Sequence, residues 1–342
     1  MDKMPIEDIN MFEDTSSHPV IFEQNYVAAD TKARVQTQVT DSLEVNLKMN
    51  DETKNAVNAQ TKMPVAVPEY ISMHIVVLVH GYMGSSWDLR AFRNYLSILE
   101  PDVLCLLSSA NERDTEVDVS IMAKRLREEV CTFIRMNCKG GSKLAKLSFV
   151  CHSLGSLIVR AALKHSEMAA YKDKLHTFFS LASPHLGSRG GQSVLVNTGM
   201  WFMRQWTKSA ALDQLSMNDH EDIRQTFVYQ LSEGDLLHLF NHVVLVSGHQ
   251  DQYVPYHSAR IELPYEHDSS SSSEAAVHSE MVVNIMGKIK SEQLTRFDFS
   301  FHFDNKRRLD KFIGRAAHVH VLDSPVLTMN LLLNYHSRYF SS

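Results

Sequence analysis

The pentapeptide Cys151-His152-Ser153-Leu154-Gly155 stands between a short apolar run at 146–150 and a segment at 154–164 that reads at helical period. A serine on a tight turn between a strand and a helix exposes its hydroxyl above the sheet. Once a base takes its proton, that hydroxyl can attack a carbonyl carbon. The usual arrangement is Gly-x-Ser-x-Gly; here Cys151 fills the first glycine position, where the turn brings backbone and strand close and small residues are needed. A second turn, His80-Gly81-Tyr82-Met83-Gly84, ends the apolar run 74–79. A loop in that place gives one backbone N–H to the oxyanion of an acyl-transfer intermediate, and the residue after the nucleophile gives the other. The expected donors are Tyr82 and Leu154, with His80 and Gly81 supporting the loop. Gly81 and Gly84 let the chain approach a substrate carbonyl without a Cβ clash.

Such a serine needs a base and an acid to orient it, which in this arrangement follow in the order Ser, Asp or Glu, His. After the apolar run 243–246 comes Ser247-Gly248-His249-Gln250-Asp251-Gln252-Tyr253-Val254-Pro255, with one acidic residue, Asp251. The same Asp also suits a plain turn cap. Among 18 histidines the base is harder to choose. Gly314-Arg315-Ala316-Ala317-His318-Val319-His320-Val321 lies in the required place, and spacing leaves both His318 and His320 open. His336, beneath a helix-like run at 326–333, reads as structural.

The elements that must position these residues are legible as alternation. Apolar runs at 74–79, 103–107, 146–150 and 176–181 are separated by helical-period segments at 89–99, 117–136 and 154–164; 243–246 adds a fifth strand and 296–303 a sixth. This implies an α/β fold, a mostly parallel central sheet with helices on both faces. Residues 1–69 are polar with weak periodicity and read as a tail, a linker or an extended lead-in strand, so the globular domain is expected over 70–342. The run Ser269 to Ser273 reads as a low-complexity surface loop. The apolar segment 194–206 fits a lid over an acyl groove or a packing helix equally well; if exposed, it suggests transient contact with a lipid surface.

Composition narrows the function. The 342 residues carry a formal charge of -6 and no dense Lys/Arg run, which excludes a nucleic-acid footprint. Four scattered cysteines form no C-x-x-C pair, which argues against zinc and a disulfide framework and for a reducing compartment. With no leader-like start and no apolar run long enough for a membrane span, a soluble, cytoplasmic protein is expected.

Several strings match a known family. The chain resembles the DUF676 serine esterases, and especially the FAM135-like eukaryotic proteins, over roughly 71–340. The resemblance is carried by Val77-Leu78-Val79-His80-Gly81, Leu147-Ser148-Phe149-Val150-Cys151-His152-Ser153-Leu154-Gly155, Ser183-Pro184-His185-Leu186-Gly187, Val254-Pro255-Tyr256-His257-Ser258-Ala259-Arg260 and Phe312-Ile313-Gly314-Arg315-Ala316-Ala317-His318. It implies an α/β-hydrolase fold, with Ser153, Asp251 and His318 as nucleophile, acid and base, since His318 falls inside the shared string and His320 does not. Relatives usually carry Gly where Cys151 stands. Larger FAM135-like proteins have an additional amino-terminal domain that the polar tail here does not contain, which suggests a divergent or shortened member. The expected activity is hydrolysis of an ester or lipid-like small molecule with no metal or cofactor. The competing class is a catalytically silent member that uses the scaffold for binding.

Overall fold

In the computed structural model the described residues are the backbone of 20–25, and 71–188, 209–263, 272–301, 318–322 and 324–342. Seven strands form one sheet: β1 (Val20–Asn25), β2 (Ile71–Val79), β3 (Val103–Leu107), β4 (Ser142–His152), β5 (Leu175–Leu181), β6 (His242–Gly248) and β7 (Leu294–Ser300). Their order is β1-β7-β6-β5-β4-β2-β3. β2 to β7 are parallel, and β1 pairs antiparallel with β7, Val20 opposite Ser300.

The continuous apolar runs have a physical reason, because the sheet is covered on both faces. Along β2, Ile75, Val77 and Val79 enter one buried cluster, and Val76 and Leu78 enter the other. The first cluster is closed by α2 (Val119–Asn137) and α3 (Leu154–Leu163), the second by α1 (Arg90–Leu99) and, near the carboxyl end, α8 (Pro325–Phe340). Between them in chain order come α4 (Ala210–Leu215), α5 (Phe227–Ser232), α6 (Tyr256–Arg260) and α7 (Ser272–Met286). α2 starts on Asp118, whose side chain accepts from the Ser120 N–H, and α8 on Ser324, whose side chain accepts from the Leu327 N–H, so each helix begins with an orphan donor satisfied.

The strand order positions the site. From β2 the chain steps outward to β3, returns to β4 on the other side of β2, and then proceeds in the opposite direction through β5, β6 and β7. The helices after β2 and β4 therefore lie on opposite faces, and a crevice opens between the carboxyl ends of these strands, the place where open α/β sheets bind ligands. The architecture is that of an α/β-hydrolase.

Expectation and structure differ in places. β2 and β4 begin earlier than the apolar runs, because the first half of β4 alternates between partly buried and exposed positions and lacks the continuous pattern of a covered strand. β7 begins two residues before the expected 296–303 strand and ends at Ser300. The serine run is a loop only in part, since α7 begins at Ser272. Within the polar 1–69 segment, residues 20–25 form a strand, in line with the lead-in-strand alternative. The segment 194–206 lies outside the described residues.

At the amino ends of the strands, remote from that crevice, three imidazoles form a row. His74 and His176 have ring centroids 5.2 Å apart, and His176 and His242 5.3 Å. His74 Nε2 is 2.7 Å from Ser148 Oγ and its Nδ1 3.0 Å from the Ser341 carbonyl. Burial holds His74 down to about 4, with Lys146 reinforcing it against the Ser341 bond; burial, then His74 and Lys146, hold His176 down to about 4. His242 is lowered by burial, then Arg338 and Lys146. Folding thus keeps neutral imidazoles that the unfolded chain would protonate near pH 6.5. A lowered folded value means stability that is complete above the unfolded value and is lost as pH falls from 6.5 toward 4. The melting temperature is therefore expected to be flat above about pH 7 and to drop several degrees on acidification to about pH 5, with a shallower slope in His74→Asn. Calorimetry across this range checks it; a melting temperature independent of pH there would contradict it.

Candidate active site

The turn that carries Ser153 is strained by construction. Ser153 has φ 51° and ψ -123°, a conformation rare outside glycine, and is the residue immediately before α3. It is fixed by bonds on both sides: its N–H donates to the Leu181 carbonyl at 3.0 Å, and its carbonyl accepts from the Ser156 N–H at 3.2 Å. Gly155 is where α3 meets β2. A Cβ there would lie 2.5 Å from the Val79 carbonyl oxygen and 2.7 Å from that of His80, so no side chain fits. Gly81 is pressed against the elbow from the other side, where a Cβ would meet the Ser153 Cβ at 2.9 Å. Cys151, by contrast, lies fully buried within β4, and burial pushes its thiol up despite a hydrogen bond with the Ser156 side chain. The left-handed residue of the turn is Ser153 and not residue 151.

Three side chains from distant parts of the chain meet here. His318 Nε2 lies 3.1 Å from Ser153 Oγ, and His318 Nδ1 lies 2.7 Å from Asp251 Oδ2. Asp251 follows β6, and its other oxygen, Oδ1, accepts from the N–H groups of Tyr253 at 2.8 Å and Val254 at 3.0 Å, which leaves Oδ2 for the imidazole. Asp251 thus caps the turn with one oxygen and meets the His318 ring with the other. The Asp251 side chain is 3% exposed and that of His318 12%, so the carboxylate is shielded while the ring edge remains reachable. His320 faces elsewhere, its ring centroid 5.6 Å from that of Phe301. His336 bonds Glu100 at 2.7 Å, away from Ser153.

The loop after β2 is clamped from outside. Met83 N–H donates to Thr115 Oγ1 at 2.8 Å, Ser86 N–H to Glu112 Oε1 at 2.7 Å, and Tyr82 Oη to Glu116 Oε1 at 3.3 Å. His80 is buried with Nδ1 3.0 Å from the Gly81 carbonyl oxygen. Leu154 opens α3, so its N–H is among those with no intrahelical acceptor, at the positive end of the helix dipole.

Two side chains that support the site were not singled out from the sequence. Gln250 behaves as a peptide unit added to β7: its Oε1 accepts from the Phe301 N–H at 2.6 Å, and its Nε2 donates to the Phe301 carbonyl at 2.7 Å. It thereby ties the Asp251 loop to the chain leaving β7. His152 Nε2 lies 3.2 Å from the His318 carbonyl oxygen. A histidine immediately before Ser153 was the available signal for the latter; nothing local marked Gln250.

The remaining strings form the scaffold. Ser156 Oγ is 3.0 Å from Ser180 Oγ and 2.7 Å from Ser183 Oγ, and Ser180 Oγ is 2.8 Å from His185 Nε2. Arg160 Nη1 donates to the His185 carbonyl at 3.0 Å, and its Nε to Asp235 at 2.7 Å, both partners buried. Burial and then Arg160 keep His185 neutral. Ser258 joins Ser183-Pro184-His185-Leu186-Gly187 to the loop after Asp251, accepting from the Leu186 N–H at 3.0 Å and donating to the Gly187 carbonyl at 2.7 Å. Arg260 is paired with Glu262 and Asp298. These strings build the bed beneath the elbow.

Solved structures similar to this chain include phospholipase PlaB from Legionella pneumophila, at 18% identity and TM-score 0.37, covering 52% of this chain and 38% of that one. Lipase B from Aspergillus fumigatus is similar at 13% identity and TM-score 0.41, covering 79% of this chain and 65% of that one. A Pyrococcus furiosus esterase is similar at 12% identity and TM-score 0.43, with 79% and 84% covered. The chain thus spans about two fifths of the phospholipase and just under two thirds of the lipase. A family model described as "Putative serine esterase (DUF676)" matches residues 70–267, more than half of the sequence and both turns that meet at Ser153, and the chain belongs to that family.

Proposed function

We propose that this chain hydrolyses carboxylic esters, lipid-like ones by preference, through an acyl-enzyme on Ser153. The observation that carries this reading is the unbroken hydrogen-bonded line from Ser153 Oγ through the His318 ring to Asp251, with spacings of 3.1 and 2.7 Å. In that line the neutral imidazole donates Nδ1–H to Asp251 and presents its Nε2 lone pair to the serine hydroxyl. As Oγ attacks the ester carbonyl carbon, the hydroxyl proton passes to Nε2, and Asp251 holds the imidazolium. The oxyanion is met by the backbone N–H groups of Leu154 and Tyr82. Collapse breaks the C–O bond and returns the proton to the departing alcohol. Water then attacks the acyl carbon, gives its proton to the same nitrogen, and Ser153 is regenerated. His80 and Gly81 shape the loop that carries Tyr82.

The shared strings favour a FAM135-like member, with 1–69 as a lead-in segment and 70–342 as the hydrolase domain. All four cysteines are free, which fits a cytoplasmic setting; among the described residues no helix is long and apolar enough to cross a membrane. The exposed Met83 and Trp87 beside Tyr82, and Val319 beside His318, suit contact with an apolar acyl chain or transiently with a lipid surface.

A panel of p-nitrophenyl esters of increasing acyl length tests the reading. Hydrolysis is expected, with kcat/KM rising about tenfold or more from acetyl to medium chains, at up to ~0.8 kcal/mol per buried methylene. No hydrolysis of any member by folded protein would overturn it.

A further inference from the structure

We infer that His152 is a positioning residue, holding His318 in place through the backbone carbonyl of that residue during the half of the reaction when the serine no longer can. This rests on the esterase reading above. The geometry is direct: His152 Nε2 lies 3.2 Å from the His318 carbonyl oxygen, and the two rings lie 4.8 Å apart between centroids, tilted by 43°. His152 is itself buried, 7% exposed, with Gly81 packed so near its Nδ1 that even a Cβ at that glycine would lie 3.1 Å from it. The imidazole thus has little room to rotate away from the carbonyl.

The chemistry explains why this bond matters. The His318 ring is oriented by two side-chain contacts, to Asp251 and to Ser153. The second cannot survive acylation, because Oγ then carries the acyl group and has no proton to donate. In the acyl-enzyme the ring must aim Nε2 at a water molecule instead. That water's oxygen bonds to the acyl carbon, its proton moves to Nε2, and the proton returns to Oγ as the acyl C–O bond breaks. Throughout these steps the bond from His152 to the backbone of residue 318 is untouched. Burial, together with the neighbouring His318, keeps His152 well below its usual range and therefore neutral, so it remains a donor that adds no charge beside the imidazolium.

The expected signature is a selective loss in deacylation. Stopped-flow release of p-nitrophenol reads acylation, and loss of the acyl mass from the intact protein reads deacylation. His152→Leu, which fills the space without a donor, is expected to slow deacylation by about 10- to 100-fold, the scale of a base misplaced by up to an ångström, and to slow acylation much less. His152→Gln, which restores an N–H at similar reach, is expected to recover deacylation to within about threefold of wild type. If the Leu variant does not fold, His152→Phe supplies a ring without a donor. Wild-type deacylation in a folded donor-free variant would overturn the proposal, as would equal loss in both steps or a Gln variant as slow as the Leu variant. Failure of the esterase reading would look different, since wild-type protein would then acquire no acyl mass.

Discussion

Ser153→Ala is expected to lower ester hydrolysis by roughly 10⁴- to 10⁶-fold while the protein keeps its fold. The magnitude follows from removing the proposed nucleophile in a site where the remaining parts would only bind and polarise the ester. The retained fold follows from what the hydroxyl touches, since its described hydrogen bond is to His318, while the backbone of residue 153 is fixed by Leu181 and Ser156. Alanine meets the same left-handed φ that serine already tolerates, so the variant adds little strain. Steady-state assays beside a thermal melt check it, and hydrolysis retained by folded Ser153→Ala would remove the assignment.

Replacing the proposed base is expected to cost nearly as much. His318→Ala leaves Ser153 with no acceptor for its proton and Asp251 Oδ2 with no donor, and activity should fall by about 10⁴-fold or more. The double variant with Ser153→Ala should be little worse than either single change, because the two groups act as one unit. His320→Ala should retain most of the activity, since that ring packs toward Phe301. Kinetics on the three variants check this; an essential His320 with a dispensable His318 would contradict it.

Much of the fold was legible because buried parallel strands are written as unbroken apolar runs, as in 74–79 and 243–246, and their alternation with helical periods requires crossovers. Element ends were less legible. β4 begins with alternating exposed positions that carry no apolar signal, and α7 starts inside a serine run because its apolar face, with Val277, Met281 and Ile285, lies further along. β1 was open in the sequence, where 1–69 read equally as a tail, a linker or an extended lead-in strand, because its pairing with β7 joins residues roughly 275 positions apart.

The candidate site was legible where geometry leaves a local mark. An elbow needs small residues beside the serine, and the positions of Gly155 and Gly81 show why: a Cβ at either would overlap the neighbouring loop or strand. The choice between His318 and His320 has no local mark, because it depends on how the chain returns from β7 to the mouth of the sheet; the family resemblance pointed to His318 where spacing did not. Gln250 was invisible for the same reason, its partner Phe301 being 51 residues away in sequence.

Covalent labelling with a fluorophosphonate reads the activation of Ser153 most directly, since the reagent reacts with a serine only when a base has activated it and an oxyanion site receives the phosphonyl oxygen. One phosphonyl group per chain is expected on native protein, mapped by peptide mass spectrometry to Ser153, and absent both from Ser153→Ala and from denatured protein. Folded native protein that takes up no label, or takes it up equally after Ser153→Ala, would contradict the account.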